Sequence, residues 1–260
     1  NQRTSLEKPM NKALLVLSAS AVEEYHQCPY KYRLNRIDKI PQRKSNAQMV
    51  FGIVMHQVLN EYHESPENQS KEYLYELLNK NWTPDAFDYT IREEEFRKQA
   101  EEMLDSYWDY LPSVTSKYLS GETDFSFELP EANIRIVGKI DRIDTDGETL
   151  KVIDYKTGNK PSLNATKKSL QLALYIEAIR RDAVKGVSGN PGTAQLLYLK
   201  NLDDLYDPVE FSRSELEKHL ETVKEAAEGI RIHEFPQKPS DFMCNYCDYK
   251  DFLCPAWEND

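Results

Sequence analysis

The spacing of apolar residues predicts helices over the first half of the chain. Apolar side chains recur at helical intervals from Ser18 onward, and Ser18 can cap the first turn. Pro29 predicts a break in that helix, because proline removes a backbone donor and crowds the preceding turn. A second helix is predicted over 48–63. The segment 65–120 is predicted to be mostly helical, most clearly over 91–110.

After Gly121 the pattern changes to the alternation of a β-sheet. Strands are predicted over 124–129, 134–143 and 150–155, and Asp146-Gly147 between the last two is a hairpin turn signal. The remaining predicted elements are a helix over 164–183, a strand over 194–199 and a helix over 212–229. This order predicts an α/β core whose central mixed sheet contains an antiparallel hairpin and is flanked by helices. It excludes a doubly wound parallel fold, because a hairpin cannot be parallel.

The predicted hairpin brings acidic and basic side chains to one face. Side chains alternate along a strand, so Asp154 and Lys156 point to the same side. If the turn centres on Asp146-Gly147, Asp141 lies opposite Val152 and Asp154 is its diagonal neighbour, roughly 7–8 Å away. Two carboxylates at that spacing can share one divalent cation. A slip of one residue would place them on opposite faces.

Hard oxygen ligands of this kind suit Mg²⁺ or Mn²⁺. A lysine beside such an ion can orient water and stabilise charge that grows on a phosphate. Asp-x-Lys alone would favour an ordinary exposed hairpin with surface charges. The combination of residues 138–144 with residues 152–158, Gly-Lys-Ile-Asp-Arg-Ile-Asp and Val-Ile-Asp-Tyr-Lys-Thr-Gly, is much more specific.

This pair of segments resembles the catalytic hairpin of RecB-type PD-(D/E)XK nucleases. The resemblance implies a restriction-endonuclease-like core with a helical insertion at about 65–120. It further implies that Asp141 and Asp154 bind metal, that Lys156 assists the attack of water, and that the backbone carbonyl of Tyr155 is a further ligand.

Two other segments resemble motifs of the same family. The segment Gly52 to His56 is similar to its Gly-x-x-x-His helix, which implies that His56 is a metal ligand. Gln171 and Tyr175 resemble its Gln-x-x-x-Tyr motif, and an i, i+4 pair can point at one DNA strand. Alone, a histidine in an apolar helix is more often a core residue, and the Gln–Tyr pair is a weak signal. Their order and spacing relative to the hairpin make the set specific.

The chain has four cysteines, Cys28 and Cys244-x₂-Cys247-x₆-Cys254. Disulfides are disfavoured in an intracellular protein, so this grouping predicts metal ligation by Cys28 together with the three cysteines of the irregular tail 236–257. Zinc and a [4Fe–4S] cluster both accept four thiolates, and the residues alone leave both open.

The cysteine spacing, with Cys-Pro-Tyr-Lys-Tyr upstream, resembles the iron–sulfur subset of this nuclease family. AddB-type helicase–nuclease subunits and CRISPR-associated nucleases belong to that subset. The resemblance implies a structural [4Fe–4S] cluster that joins the two ends of the chain.

The charge of the chain is unusual for a nucleic-acid binder. The formal net charge is −11 and the pI is about 5.1, whereas such proteins are usually basic. One short segment is locally basic, and we predict that it attracts the DNA backbone. The alternative is that this segment is a solvated helix face. The cations of the basic segment are Lys31, Arg33, Arg36, Lys39, Arg43 and Lys44.

The sequence contains no run of roughly 18 apolar residues, so we expect a soluble, cytoplasmic protein without a membrane span. The chain does not begin with methionine, which suggests a piece of a longer protein. We expect a loose leader over 1–17 and a single nuclease domain over 18–260.

The predicted function is a Mg²⁺- or Mn²⁺-dependent deoxyribonuclease of DNA repair, an exonuclease acting on single strands or single-stranded ends. A helicase partner or a larger parent chain is expected, because the chain lacks the Gly-x-x-x-x-Gly-Lys-Ser/Thr motif of an ATP motor. The alternatives are an inactive DNA-binding or scaffolding module, a zinc-stapled nuclease and a CRISPR-associated nuclease for spacer acquisition.

Overall fold

A computed structural model describes residues 13–42, 47–84 and 90–257. The chain divides into two compact units. The terminal unit comprises residues 1–44, 126–137 and 217–260, and the hairpin unit comprises residues 45–125 and 138–216. The predicted loose leader falls largely on residues 1–12, which lie outside the described residues, as do Arg43 and Lys44.

The terminal unit begins with strand β1, Leu15–Leu17, and helix α1, Ala19–Gln27. Ser18 caps α1, since its hydroxyl accepts a hydrogen bond from the Ala21 amide at 3.3 Å. The predicted break at Pro29 is confirmed: α1 ends before Cys28, and the short helix α2 covers Pro29–Tyr32. Proline suits the first turn of a helix, where its missing N–H has no intrahelical partner.

The hairpin unit contains three helices that precede its strands. They are α3 (Ala47–Glu64), α4 (Lys71–Asn81) and α5 (Thr90–Tyr110). Their apolar faces form one core with Ile153 and Tyr155. The predicted helical character of 65–120 is confirmed by α4 and α5.

The described residues form a mixed sheet, as predicted, but it has five strands rather than the four predicted, because Leu15–Leu17, at the end of the expected loose leader, form β1. Besides β1 the strands are β2 (Lys117–Leu129), β3 (Ile134–Thr145), β4 (Thr149–Lys156) and β5 (Asn190–Tyr198). Strand β2 begins seven residues earlier than predicted. Its first residues pair in the sheet rather than extend the helical segment.

Strand β4 is central in the hairpin unit, antiparallel to β3 and parallel to β5. Strand β5 begins at Asn190, earlier than predicted, because it is the last strand in the sheet order and an edge tolerates Pro191. In the terminal unit, β1 pairs in parallel with residues 134–136 of β3. The α/β class and the antiparallel hairpin are therefore confirmed.

Two helices follow β4. Helix α6 covers Leu170–Arg180 and packs on β4 and β5, and helix α7 covers Arg213–Arg231. Helix α6 starts later than predicted because Ser169 is its N-cap, accepting a hydrogen bond from the Leu172 amide at 3.2 Å. No helix within the three described ranges is both long and apolar enough to span a bilayer.

The predicted register of the hairpin is wrong by two residues. Arg142 pairs with Ile153, so Asp141 falls opposite Asp154 rather than Val152. A shift of two residues preserves the face to which each side chain points, so the two carboxylates still share one side of the hairpin.

The turn of the hairpin explains the altered register. The Asp146 carboxylate accepts hydrogen bonds from the backbone amides of Glu148 and Thr149, at 2.9 and 2.7 Å. Asp146 therefore opens the turn instead of occupying its centre, and the pairing of the two strands shifts with it.

Candidate metal centre

His56, Asp141 and the backbone of Tyr155 meet at the open end of the β3–β4 hairpin. His56 Nε2 lies 3.0 Å from the Tyr155 carbonyl oxygen, and Nδ1 lies 3.4 Å from Asp141 Oδ2. The Tyr155 amide donates a hydrogen bond to the same Asp141 oxygen at 2.9 Å. Helix α3 and strands β3 and β4 thus bring together a nitrogen, a carboxylate and a carbonyl oxygen that were all expected to be metal ligands.

Both ring nitrogens of His56 face oxygen acceptors, which favours the doubly protonated imidazolium in the metal-free protein. Burial lowers the pKa of His56, but the Asp141, Asp154 and Glu122 carboxylates outweigh burial and raise it above the ordinary value. A metal ion needs the neutral ring, so ion binding at this position would displace a proton.

Asp154 is the most buried acidic group of the site, with an exposed fraction of 1%. Its close contact is an ion pair with Lys156, whose Nζ lies 2.6 Å from Oδ2. Apart from this ion pair, neither carboxylate oxygen has a hydrogen-bond donor among the described residues. Burial raises the pKa of Asp154 to about 6, against the opposing effect of Lys156 and with a further increase from Asp141.

Glu122 lies beside this group, a placement that was not predicted from the sequence. One ligand atom each of His56, Glu122 and Asp141 lies within 4.8 Å of the others. Gly121 permits this approach of β2, because a Cβ there would collide with Asn60 Oδ1 and the Tyr118 hydroxyl. Glu122 itself has a left-handed backbone, φ 46°. A glycine directly before an acidic residue was the available signal in the sequence.

Gln171 and Tyr175 lie one turn apart on α6, as predicted. Gln171 Oε1 accepts a hydrogen bond from Lys156 Nζ at 3.2 Å, and its amide nitrogen donates to the Tyr175 hydroxyl at 2.6 Å. The motif is therefore connected to the hairpin through Lys156.

Gly52 is less constrained than the Gly-x-x-x-His motif suggests. A Cβ at this position would make an ordinary contact, 3.6 Å from Thr157 Oγ1. Packing among the described residues therefore does not by itself require glycine here.

The donor set fits a hard divalent cation. It offers carboxylate oxygens, a carbonyl oxygen and one imidazole nitrogen. Two donors bound about 2.1 Å from one octahedral ion lie roughly 3.0 Å apart, similar to the spacing of His56 Nε2 and the Tyr155 carbonyl. The buried carboxylate oxygens of Asp154 have lone pairs that can coordinate such an ion.

The four cysteines all belong to the terminal unit, and none of them is in a disulfide. Cys28, Cys244, Cys247 and Cys254 line one cavity together with Lys31. The Ser240 amide donates to Cys244 Sγ at 3.3 Å, and burial raises the pKa of Cys254. Within the part of the chain that the structure describes, no three of these sulfurs lie within 4.8 Å of one another. The thiols share a cavity but do not form a closed ligand set.

The predicted DNA-contacting cations also lie in the terminal unit. Arg33 pairs with Asp38 at 3.1 Å, and Arg36 pairs with Glu24 at 2.6 Å. Two of these cations are therefore partly neutralised by neighbouring carboxylates.

Comparison with known proteins finds helicase/deoxyribonuclease subunits and a phage protein among the relatives of this chain. An ATP-dependent helicase/deoxyribonuclease subunit of Clostridium botulinum strain Hall is 31% identical over 249 residues, covering 79% of this chain and 21% of that protein. The corresponding protein of Clostridium perfringens strain SM101 is 28% identical, covering 86% of this chain and 22% of that protein. The chain thus spans about a fifth of the length of these relatives. The Gene 69 protein of Mycobacterium phage D29 is 25% identical, covering 93% of this chain and 97% of that protein.

The family profile described as the PD-(D/E)XK nuclease superfamily matches residues 16–255, nearly the whole chain. That range includes the His56 helix, the β3–β4 hairpin and the Gln171 helix. The chain therefore belongs to the PD-(D/E)XK nuclease superfamily and is homologous to helicase/deoxyribonuclease subunits.

Proposed function

We propose that this chain is a divalent-metal-dependent DNA nuclease that hydrolyses phosphodiester bonds. The observation that carries the proposal is the meeting of His56, Asp141 and the Tyr155 carbonyl beside the buried Asp154–Lys156 pair. Membership of the nuclease superfamily and homology to deoxyribonuclease subunits support DNA as the substrate.

His56, Asp141, Asp154 and the Tyr155 carbonyl would hold Mg²⁺ or Mn²⁺, and Glu122 is placed to assist them. When bound, the ion supplies Lewis-acid stabilisation of the charge that develops on the phosphate. The proposed role of Asp154 requires its ionised form, which its pKa of about 6 allows at neutral pH.

Lys156 acts directly on the reacting groups in this proposal. Its ammonium group is held between Asp154 Oδ2 and Gln171 Oε1 at 2.6 and 3.2 Å. A cation fixed there can orient the attacking water and stabilise the negative charge of the transition state. Gln171 and Tyr175 contact the DNA strand beside it.

Cleavage of labelled single-stranded DNA in the presence of Mn²⁺ tests the proposal. Asp154→Ala and Lys156→Ala should each abolish cleavage without unfolding the protein. Asp207→Ala and Lys117→Ala are matched controls, since both residues are exposed in the hairpin unit and neither belongs to the metal centre. Equal activity of the Asp154 or Lys156 variants and their controls would contradict the assignment.

We further propose that the enzyme is an exonuclease that acts on single-stranded ends. A linear single strand should be degraded, whereas a circular single strand of the same sequence should persist. Substrates labelled at the 5′ or the 3′ end then report the polarity of digestion. Rapid nicking of the circle would instead identify an endonuclease.

The chain is proposed to be the nuclease part of a helicase–nuclease system of DNA repair. Its relatives are named as helicase/deoxyribonuclease subunits, and this chain covers only 21% and 22% of their length. A helicase that supplies single strands should make degradation of blunt duplex DNA dependent on ATP. Degradation of blunt duplex DNA by the isolated chain as fast as its degradation of single strands would contradict this association.

A [4Fe–4S] cluster held by Cys28, Cys244, Cys247 and Cys254 is proposed for the terminal unit, with zinc as the alternative. The cavity that all four cysteines line supports it, as does the absence of a disulfide among them. Anaerobically prepared protein should be brown, absorb near 400 nm and contain about four irons and four sulfides per chain. Colourless protein with one zinc ion per chain would favour the alternative.

A further inference from the structure

A buried ion pair lies on the face of the β3–β4 hairpin opposite the candidate metal ligand Asp141. The Arg142 and Asp144 side chains are 4% and 0% exposed and are joined by two hydrogen bonds of 2.6 and 2.8 Å. Both residues are on β3, and Ser116 donates a third hydrogen bond to Asp144 Oδ2 at 2.7 Å. The carboxylate therefore uses both oxygens to hold the guanidinium in one orientation.

The other edge of the guanidinium faces three side chains from neighbouring elements. Arg142 Nη1 donates to the Tyr107 hydroxyl at 2.7 Å and to His63 Nε2 at 2.9 Å, and it lies 3.4 Å from the Tyr155 hydroxyl. Burial and the Arg142 charge lower the pKa of His63 to about 3, so its ring is neutral and Nε2 can accept. Tyr107 also contacts His63 Nε2 at 2.6 Å. We call these five residues, Arg142, Asp144, His63, Tyr107 and Tyr155, the Arg142 cluster.

The Arg142 cluster joins the same elements that present the candidate metal ligands. His63 lies two turns after His56 on α3, and Arg142 follows Asp141 on β3. Tyr155 belongs to both groups: its hydroxyl lies in the cluster, while its backbone amide and carbonyl contact Asp141 and His56. Any movement of α3 or β4 relative to β3 would break hydrogen bonds on both sides of the sheet.

A buried ion pair is a poor device for stability alone, because removing both charges from water costs about as much as their attraction returns. A fully hydrogen-bonded buried network does, however, fix one arrangement of the elements that carry it. We propose that the Arg142 cluster positions the metal ligands, by fixing α3 and β4 to β3 so that His56 and the Tyr155 carbonyl meet Asp141. This inference rests on the metal centre proposed above. It also gives a role to α5, which supplies Tyr107.

The experiment removes one hydroxyl from the Arg142 cluster and compares the Mn²⁺ affinity of this variant with that of the unaltered chain and of a control variant. Tyr107→Phe keeps the ring that fills the core but deletes the hydroxyl that Arg142 contacts. Tyr75→Phe is the matched control, because it deletes a hydroxyl bonded to Asp105 at 2.6 Å elsewhere in the same helical segment. Binding of Mn²⁺ to the 260-residue chain is measured by electron paramagnetic resonance of the free ion, well below the melting temperature.

Tyr107→Phe should weaken Mn²⁺ binding about tenfold or more, the usual effect of removing a group that orients metal ligands. At saturating Mn²⁺, kcat should recover to within about threefold of wild type and the KM for DNA should be unchanged. Tyr155→Phe should show the same pattern, which provides a second variant if the first folds poorly.

Wild-type Mn²⁺ affinity in both Tyr107→Phe and Tyr155→Phe, with only a lower melting temperature, would overturn the inference. That result would leave the cluster as structural support. If the unaltered chain binds no Mn²⁺, the proposed metal centre itself fails, and the two failures are thereby distinguished.

Discussion

Lys156 and Asp154 form an ion pair of 2.6 Å in which the Asp154 side chain is buried and the Lys156 side chain is more than a third exposed. The pair is therefore asymmetric: Asp154 has lost its water, whereas Lys156 can still reach a substrate. Asp154 is therefore suited to hold an ion, whereas Lys156 is suited to act on DNA.

We expect Lys156→Gln to separate metal binding from cleavage. The variant lacks the cation that stabilises developing charge, so kcat should fall about a hundred- to a thousandfold. The pKa of Asp154 should rise further, because Lys156 lowers it, so Mn²⁺ binding should weaken at pH 7 and recover at pH 8. Isothermal titration with Mn²⁺ and single-turnover cleavage measure the two effects. Loss of Mn²⁺ binding at both pH values would contradict this division of roles.

Asp154→Asn is expected to stabilise the metal-free protein while abolishing activity. Because the folded-state pKa of Asp154 is about 6 and the unfolded value is near 4, folding takes up a proton between these pH values. Stability therefore falls as pH rises through that window, and above it the buried charge carries the full penalty. The amide removes this penalty, so the free energy of unfolding at pH 7.5 should rise by about 1–3 kcal/mol. Urea denaturation with a chelator present measures it.

Asp207→Asn is the control for that change, because its exposed carboxylate should leave the free energy of unfolding unaltered. The gain should shrink at pH 5, where Asp154 is already protonated. A gain of the same size at both pH values would refute the electrostatic explanation.

Mn²⁺ affinity should decrease as pH falls through about 6. The pKa of Asp154 is about 6 and that of His56 is raised above its ordinary value, so both groups are protonated in the acidic metal-free protein. The ion must displace these protons, which lowers its apparent affinity up to about tenfold per pH unit for each proton released. Titrations between pH 5 and pH 8 measure the slope, and an affinity independent of pH would contradict the ligand assignment.

The hairpin shows how far the sequence could predict this site. The alternation of residues along β4 correctly placed Asp154 and Lys156 on one side, because strand geometry is local. The register depended on the Asp146 side chain, which captures two backbone amides and moves the turn. Turn propensity alone does not reveal that the Asp146 side chain will bind these amides, since Asp-Gly is typical of the central positions of a two-residue turn.

Contacts between distant segments were harder to predict. Glu122 lies on β2, whose predicted start at residue 124 came too late to include it. The Arg142 cluster was also not predicted, because arginine and aspartate side chains are usually exposed unless they are paired. Its burial depends on α5, and no local pattern places Tyr107 against β3.

Glu122→Gln tests whether β2 contributes to the metal centre. The carboxylate oxygen lies within 4.8 Å of ligand atoms of His56 and Asp141, so its charge should attract a divalent ion there. The neutral amide should weaken Mn²⁺ binding about tenfold and lower cleavage at limiting Mn²⁺, with partial recovery at high concentration. Glu128→Gln is the control on the same strand, where the side chain is exposed and paired with Arg135.

The same substitution has an electrostatic consequence at His56. Glu122 contributes to raising the pKa of His56, so its neutralisation should lower that pKa and shift the acidic limb of Mn²⁺ binding to lower pH. Nuclear magnetic resonance of the His56 ring in the metal-free protein measures the shift directly. If the His56 pKa and Mn²⁺ affinity match those of Glu128→Gln, then Glu122 is a surface charge and the ion is held by β3, β4 and α3 alone.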